Sequence, residues 1–117
     1  MTVKELMNRN VFQVVHVADD LDISIEKPFC CDLLSIAMGR APADCAWVTV
    51  MGNLNTLAVA SLAEAACVIL AENASLDEAA SIKAKDRQIT ILKTDMPIFE
   101  AALIIYEMLK ESHESHI

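Results

Sequence analysis

The chain has 117 residues and a formal net charge of −8, nine Lys and Arg standing against seventeen Asp and Glu. That length fits one domain able to bury roughly two-thirds of the surface its unfolded form exposes, and the acidic surplus repels phosphate backbones, which excludes nucleic acid and anionic membranes as partners. Hydrophobic residues make up 55% of the sequence, above the roughly 45–50% of an ordinary globular chain, so something beyond a single core takes up the excess.

No apolar run reaches the roughly 18 residues of a membrane span, because Asn53, Asn55, Thr56, Ser61 and Glu64 interrupt the richest stretch, Cys45–Glu72. The opening MTVKELMNRN lacks the apolar core of a signal peptide, and a cytoplasmic location is expected. Cys30, Cys31, Cys45 and Cys67 are accordingly read as reduced thiols, the last two as small buried hydrophobes.

In chain order, Thr2-Val3-Lys4-Glu5 is a capping box that opens a short helix to about Asn8. Val11–Val17 is β-branched and reads as a strand, and Leu21–Ile25 as a second, shorter one. After Pro28, Asp32 is placed to cap a helix over Leu33–Met38 that Gly39 stops. From there a unit repeats: strands start near Cys45, Ala66 and Ile89, and each runs through a polar loop into a helix, Asn55–Glu64, Ser75–Lys85 and Pro97–Lys110 in turn. Ser75–Glu78 is a second capping box, and Pro97 suits a first helical turn. Strand–helix–strand crossovers place the strands parallel, and near-continuous apolar runs such as Val68-Ile69-Leu70 suit strands covered on both faces. The expected fold is a small α/β three-layer sandwich with a mostly parallel sheet and an irregular N-terminal third, one domain over residues 1–112 with a frayed tail at 113–117.

Two helices carry more apolar surface than one sheet face needs. Around Pro97–Lys110 the charged residues Glu100, Glu107, Lys110 and Glu111 gather on one side, leaving an apolar arc of roughly 200° with Ile104 and Met108 at its far edge. The stretch Leu54–Ala63 holds no charge and uses small alanines. Burial inside a monomer is one account; in a chain this short a homodimer through Asn55–Glu64, Pro97–Lys110 or both is the expectation.

Asp32-Leu33-Leu34-Ser35, Trp47-Val48-Thr49-Val50, the Asn55 loop, Ala58-Val59-Ala60 and Ala66-Cys67-Val68-Ile69-Leu70 together resemble the DRTGG domain family. The likeness continues through Thr94, Phe99-Glu100 and Tyr106–Leu109, so it spans nearly all of Thr2–Lys110. The glycine pair of the name-giving motif is absent: the chain has Asp22-Ile23-Ser24-Ile25-Glu26-Lys27-Pro28 there, and only Asp22 fits. The resemblance implies a small α/β domain tied to regulation and assembly, found alone or beside nucleotide-sensing modules, without chemistry of its own. The amino-terminal domain of bacterial HPr kinases is similar at a greater distance.

In an open parallel sheet, ligands collect beyond the carboxyl ends of the strands. The candidate ligand-binding residues there are Thr49, Met51, Gly52, Asn53 and Asn55 in the first loop, Asn73 in the second, and Thr94 and Asp95 in the third. The first loop stands out because Gly52 allows close backbone approach, although helix caps and turns select the same residue types. Glu72 and Asp95 oppose an anion and no loop contains Lys or Arg, so a phosphate-bearing ligand would need Arg40 or Lys27 from the N-terminal third. His16 reads as a packed histidine, His113 and His116 as a helix end, and no zinc spacing or phosphate-binding glycine loop occurs. The expected function is a non-enzymatic regulatory or ligand-sensing homodimer that uses no cofactor or metal. It binds a small molecule, such as a nucleotide or phosphorylated metabolite, or docks on a partner enzyme. The alternative is an enzyme or redox sensor using the Cys30 and Cys31 thiols.

Overall fold

Ala46–Thr49 (β3) and Cys67–Leu70 (β4) are buried at every position, and the sheet is built outward from them. The structure, a computed structural model, describes the backbone of residues 1–114 and the side chains of residues 1–112. Ahead of β3 come Val3–Asn8 (α1), Gln13–His16 (β1), Pro28–Cys30 (β2) and Leu34–Arg40 (α2); Leu54–Ala63 (α3) lies between β3 and β4, and Glu78–Asp86 (α4), Ile91–Lys93 (β5) and Ile98–Glu114 (α5) follow. The strand order is β1-β5-β4-β3-β2, with β1 antiparallel to β5 and every other pairing parallel. The expected three-layer α/β sandwich with a mostly parallel sheet is therefore what the chain forms. No helix among the described residues is long and apolar enough to cross a membrane.

Alternation along the strands sorts the core into two halves. Trp47, Val68, Leu70 and Ile91 pack against Ala37 of α2, Leu57 and Ala60 of α3, and Ala80 and Ala84 of α4. Ala46, Val48, Cys67, Ile69 and Leu92 pack against Val3 and Leu6 of α1 and Ala101, Ile105 and Met108 of α5. Consecutive right-handed crossovers put α2, α3 and α4 on one face, so the opposite face is left to α1 and α5. Trp47 is fully enclosed, and its Nε1–H donates to the Cys31 carbonyl at 2.9 Å, which satisfies the one polar atom of the largest core side chain.

Several boundaries differ from the expected ones for identifiable reasons. Leu21–Ile25 is not a sheet strand: its carbonyls at Ile23 and Leu21 accept from the Val3 and Lys4 amides at 3.0 Å each, and Ile25 N donates to the Met1 carbonyl at 2.8 Å. The segment supplies the first turn of α1 with acceptors that the helix itself lacks, leaving only a bridge between Thr2 and Ser24. The sheet instead takes Pro28–Cys30. There Lys27 O accepts from Ala46 N at 2.9 Å and Cys31 N reaches Val48 O at 3.4 Å, so the backbone groups of Pro28 and Cys30 point away from β3, and Pro28 has no N–H to offer.

The Thr2 capping box forms as expected, but the other helix signals shift. Asp32 does not cap α2; Leu33 occupies that position without a side-chain bond. Gly39 lies inside α2, which runs on to Arg40 and gives way to extended backbone at Ala41, as the residue before a proline prefers. Asp77 rather than Ser75 caps α4, its carboxylate accepting from Ala80 N at 2.8 Å. On the other face, α5 continues to Glu114, into the expected tail, of which residues 115–117 lie outside the described structure. Strand β1 is shorter than Val11–Val17, and its register with β5 breaks between Val14 and His16.

Glu64 closes α3 in the left-handed region at φ 58° and ψ 45°. A side chain there costs roughly 1–2 kcal/mol, of which added unfolded-state freedom returns about 0.5–1 kcal/mol to a glycine. Glu64→Gly is therefore expected to stabilise the fold by about 0.5–1 kcal/mol, read as a rise in urea midpoint with unchanged slope.

Candidate functional site

The carboxyl ends of β3, β4 and β5 lead into three loops whose helices do not all go the same way. After β3 and β4 the chain turns onto the face of α3 and α4; after β5 it turns onto the opposite face, into α5. The divergence between β4 and β5 is the topological switch point, where an open α/β sheet forms a crevice. Two backbone bonds span it, Glu72 N to Met96 O at 2.9 Å and Asn73 N to Thr94 O at 2.8 Å. Both Glu72 and Asn73 adopt φ 56° to make them. The crossed loops turn the open crevice into a floor.

The first loop, where Gly52 stands out in the sequence, is closed on itself. Thr49 is fully buried, and its hydroxyl accepts from Met51 N at 3.3 Å. Asn53 caps α3 by accepting from Thr56 N at 3.0 Å and from the Thr56 hydroxyl at 3.3 Å. Met51 packs into the α2–α4 half of the core, and Asn55 is exposed on the first turn of α3. Gly52 does permit a close approach, but the approaching group is the chain itself. A Cβ at Gly52 would collide with the Ser75 carbonyl, and Asp77 N donates to Gly52 O at 2.9 Å.

The remaining candidates divide. Asn73, Thr94 and Asp95 come together in a cleft of about 270 Å³, whose other walls are Val11, Gln13 and Lys93. Arg40 does not join them: it ends α2, ahead of the Asp44 amide that donates to Glu64 O at the far end of α3. That is the amino-terminal edge of the sheet, and Lys27, just before β2, lies at the same edge. The cation of the cleft is Lys93, the last residue of β5, directly paired across the sheet with Gln13. Lys93 is signalled in the sequence only by a polar residue ending the apolar run Ile89–Leu92.

Within the cleft, the Thr94 hydroxyl is used by its own turn, accepting from Met96 N at 3.2 Å. The side chains of Gln13, Asn73, Lys93 and Asp95 take part in none of the side-chain hydrogen bonds or ion pairs made among the described residues. A larger hollow of about 330 Å³ lies between α1 and α5, but its charged groups already serve the fold. Arg9 pairs with Glu111 at 3.5 Å, and Glu5 belongs to the Thr2 capping box. The groove between α3 and α4, about 140 Å³, is smaller.

Among the described residues no three His, Cys, Asp or Glu side chains gather to hold a metal ion. His16 is held by its Nδ1–H donating to the Ile89 carbonyl at 2.9 Å, since a carbonyl can only accept; His116 lies outside the described residues, as does the side chain of His113. The Cys30 thiol is pushed up by burial and by its neighbour Cys31, the reverse of what an activated nucleophile needs. Burial raises Cys45 to about 11 and Cys67 to about 12. Cys31 Sγ donates to the Leu33 carbonyl at 3.2 Å. Neither a family model nor a curated protein matches the chain.

Titration of the native protein with an aromatic disulfide reagent at neutral pH is expected to modify only Cys30 and Cys31, no faster than free cysteine, with Cys45 and Cys67 reacting after denaturation. A Cys30 that reacts much faster than free cysteine would restore a thiol-based activity.

Proposed function

We propose that the chain is a non-enzymatic regulatory module of the cytoplasm, a homodimer that senses a small polar molecule in the cleft at the ends of β4 and β5. The carrying observation is the division of labour at that edge of the sheet. Thr49, Asn53, Asp77 and Thr94 spend their polar atoms on turns and helix caps, whereas Gln13, Asn73, Lys93 and Asp95 line one cleft with nothing in the fold to bond. Polar groups gathered around the end of a rigid sheet and left for solvent suit a small-ligand site. Kinship with the DRTGG family belongs to the same proposal and is supported by the α/β fold and by the residue pattern. A thiol enzyme is the weaker reading, because burial lowers the thiolate fraction at Cys30.

Assembly is supported by α5. Winding it at 100° per residue puts Phe99, Leu103 and Tyr106 in one stripe, opposite the buried Ala101, Ile105 and Met108. Phe99 is 73% exposed and Tyr106 57%, and Ile104 and Met108, at the far edge of the arc, turn into the core instead. A 17-residue helix with apolar residues on both sides suits a second apolar surface. A partner enzyme would meet the same stripe.

Two measurements test these claims. Thermal-shift screening against nucleotides, phosphorylated compounds and other small polar metabolites is expected to find stabilisation that grows with the logarithm of ligand concentration; a flat response to every class sinks the sensing function. Size exclusion with light scattering is expected to show a dimer that Phe99→Glu with Leu103→Glu converts to a folded monomer. A wild-type monomer at micromolar concentration would refute the assembly.

A further inference from the structure

We propose that the ligand of the β4–β5 cleft is a small zwitterion, an α-amino acid, whose carboxylate meets Lys93 and whose ammonium meets Asp95. This rests on the cleft being a ligand site and adds the chemistry that fills it.

Charge selects the class. The cleft offers one cation and one carboxylate, together with the amides of Gln13 and Asn73, and Lys93 and Asp95 form no ion pair with each other. A phosphate would bring two negative charges to a single lysine, beside Asp95 and the neighbouring Glu72, on a chain of net charge −8. A simple amine would satisfy Asp95 and be repelled by Lys93; a simple carboxylate would meet the converse. A zwitterion answers both charges and adds none to the site. Each amide side chain carries a donor and an acceptor, so Gln13 and Asn73 suit either end of such a ligand.

Position and size agree. Gln13 and Lys93 are cross-strand partners, which places both side chains on the same sheet face. That is the face carrying Ile91, towards α4. Asn73 reaches the cleft from the loop leading to α4, and Asp95 from the loop leading to α5. At about 270 Å³ the cleft falls just under the roughly 300–1,000 Å³ of pockets for drug-sized ligands, room enough for an amino acid. Val11 supplies the one apolar side chain in the wall, against which a ligand side chain would rest.

The experiment titrates the full chain with single L-amino acids, with the deaminated acid and the decarboxylated amine of any that binds, and with AMP and inorganic phosphate. Calorimetry gives affinity, and the amide resonances of Asn73, Lys93, Thr94 and Asp95 give position. At least one amino acid is expected to bind and to move those resonances, while both of its truncated analogues bind much more weakly. Lys93→Met and Asp95→Asn should each weaken binding roughly 10- to 100-fold, the worth of a charge-assisted hydrogen bond. Their far-UV spectra and melting temperatures should match wild type, since neither side chain has a partner in the fold. Amino-acid binding that ignores both substitutions and leaves those resonances unmoved overturns the proposal. So does binding of phosphate, AMP or a single-charge analogue in place of the zwitterion, although perturbation of the cleft resonances would then leave the sensing function standing. No binding by any probe in these titrations overturns the zwitterion; a flat response across the wider metabolite screen would remove the ligand site as well.

Discussion

Strands β3 and β4 have no face they can leave to water, and the rest of the architecture follows from that constraint. Every residue from Cys45 to Thr49 and from Ala66 to Ala71 is buried, and the alternation that sends Trp47 and Val68 one way sends Val48 and Ile69 the other. Three consecutive right-handed crossovers can cover only one of the two faces. The second face then has to be covered by the chain's two ends, α1 and α5. Covering it forces the chain after β5 to turn away from the direction taken after β4, and that divergence opens the crevice. The candidate site is thus a by-product of core burial.

Much of this scaffold was legible from residue types. Strands buried on both faces announce themselves as unbroken apolar runs, which is why starts near Cys45, Ala66 and Ile89 fall close to the observed β3, β4 and β5. The segment Leu21–Ile25 shows where such a pattern misleads. Its alternation does report burial, since Leu21, Ile23 and Ile25 all face the α1–α5 core. Alternation says which side of a segment is dry but not who receives its hydrogen bonds, and here the first turn of α1 takes them. Conversely, Pro28–Cys30 carries no strand signature; pairing with β3 makes it one, a tertiary decision that overrides local preference.

The cleft was half legible. Strand carboxyl ends are where ligands collect, and that rule alone brings out Asn73, Thr94 and Asp95. Gln13 and Lys93 are far apart in sequence and meet only because β1 runs antiparallel beside β5, a pairing no local pattern encodes. Gly52 stands out in the sequence for the right physical reason, a missing Cβ where something comes close. What comes close is Ser75 of the same chain, and the glycine serves to lock the β3–α3 and β4–α4 loops together. Asp77 caps α4 for a related reason: with the chain before it held against Gly52, the helix can begin only where that contact ends.

The outward backbone of Pro28 bears on how the protein behaves in a crowd. A sheet has two open edges, and each is an invitation to add strands from other molecules. At one edge the first of the two outward positions of β2 belongs to a proline, so an arriving strand finds a backbone donor only at Cys30. At the other, the irregularity between Val14 and His16 breaks the regular ladder an arriving strand would need. In a chain this rich in apolar residues, edges this short and interrupted disfavour polymerisation strand upon strand.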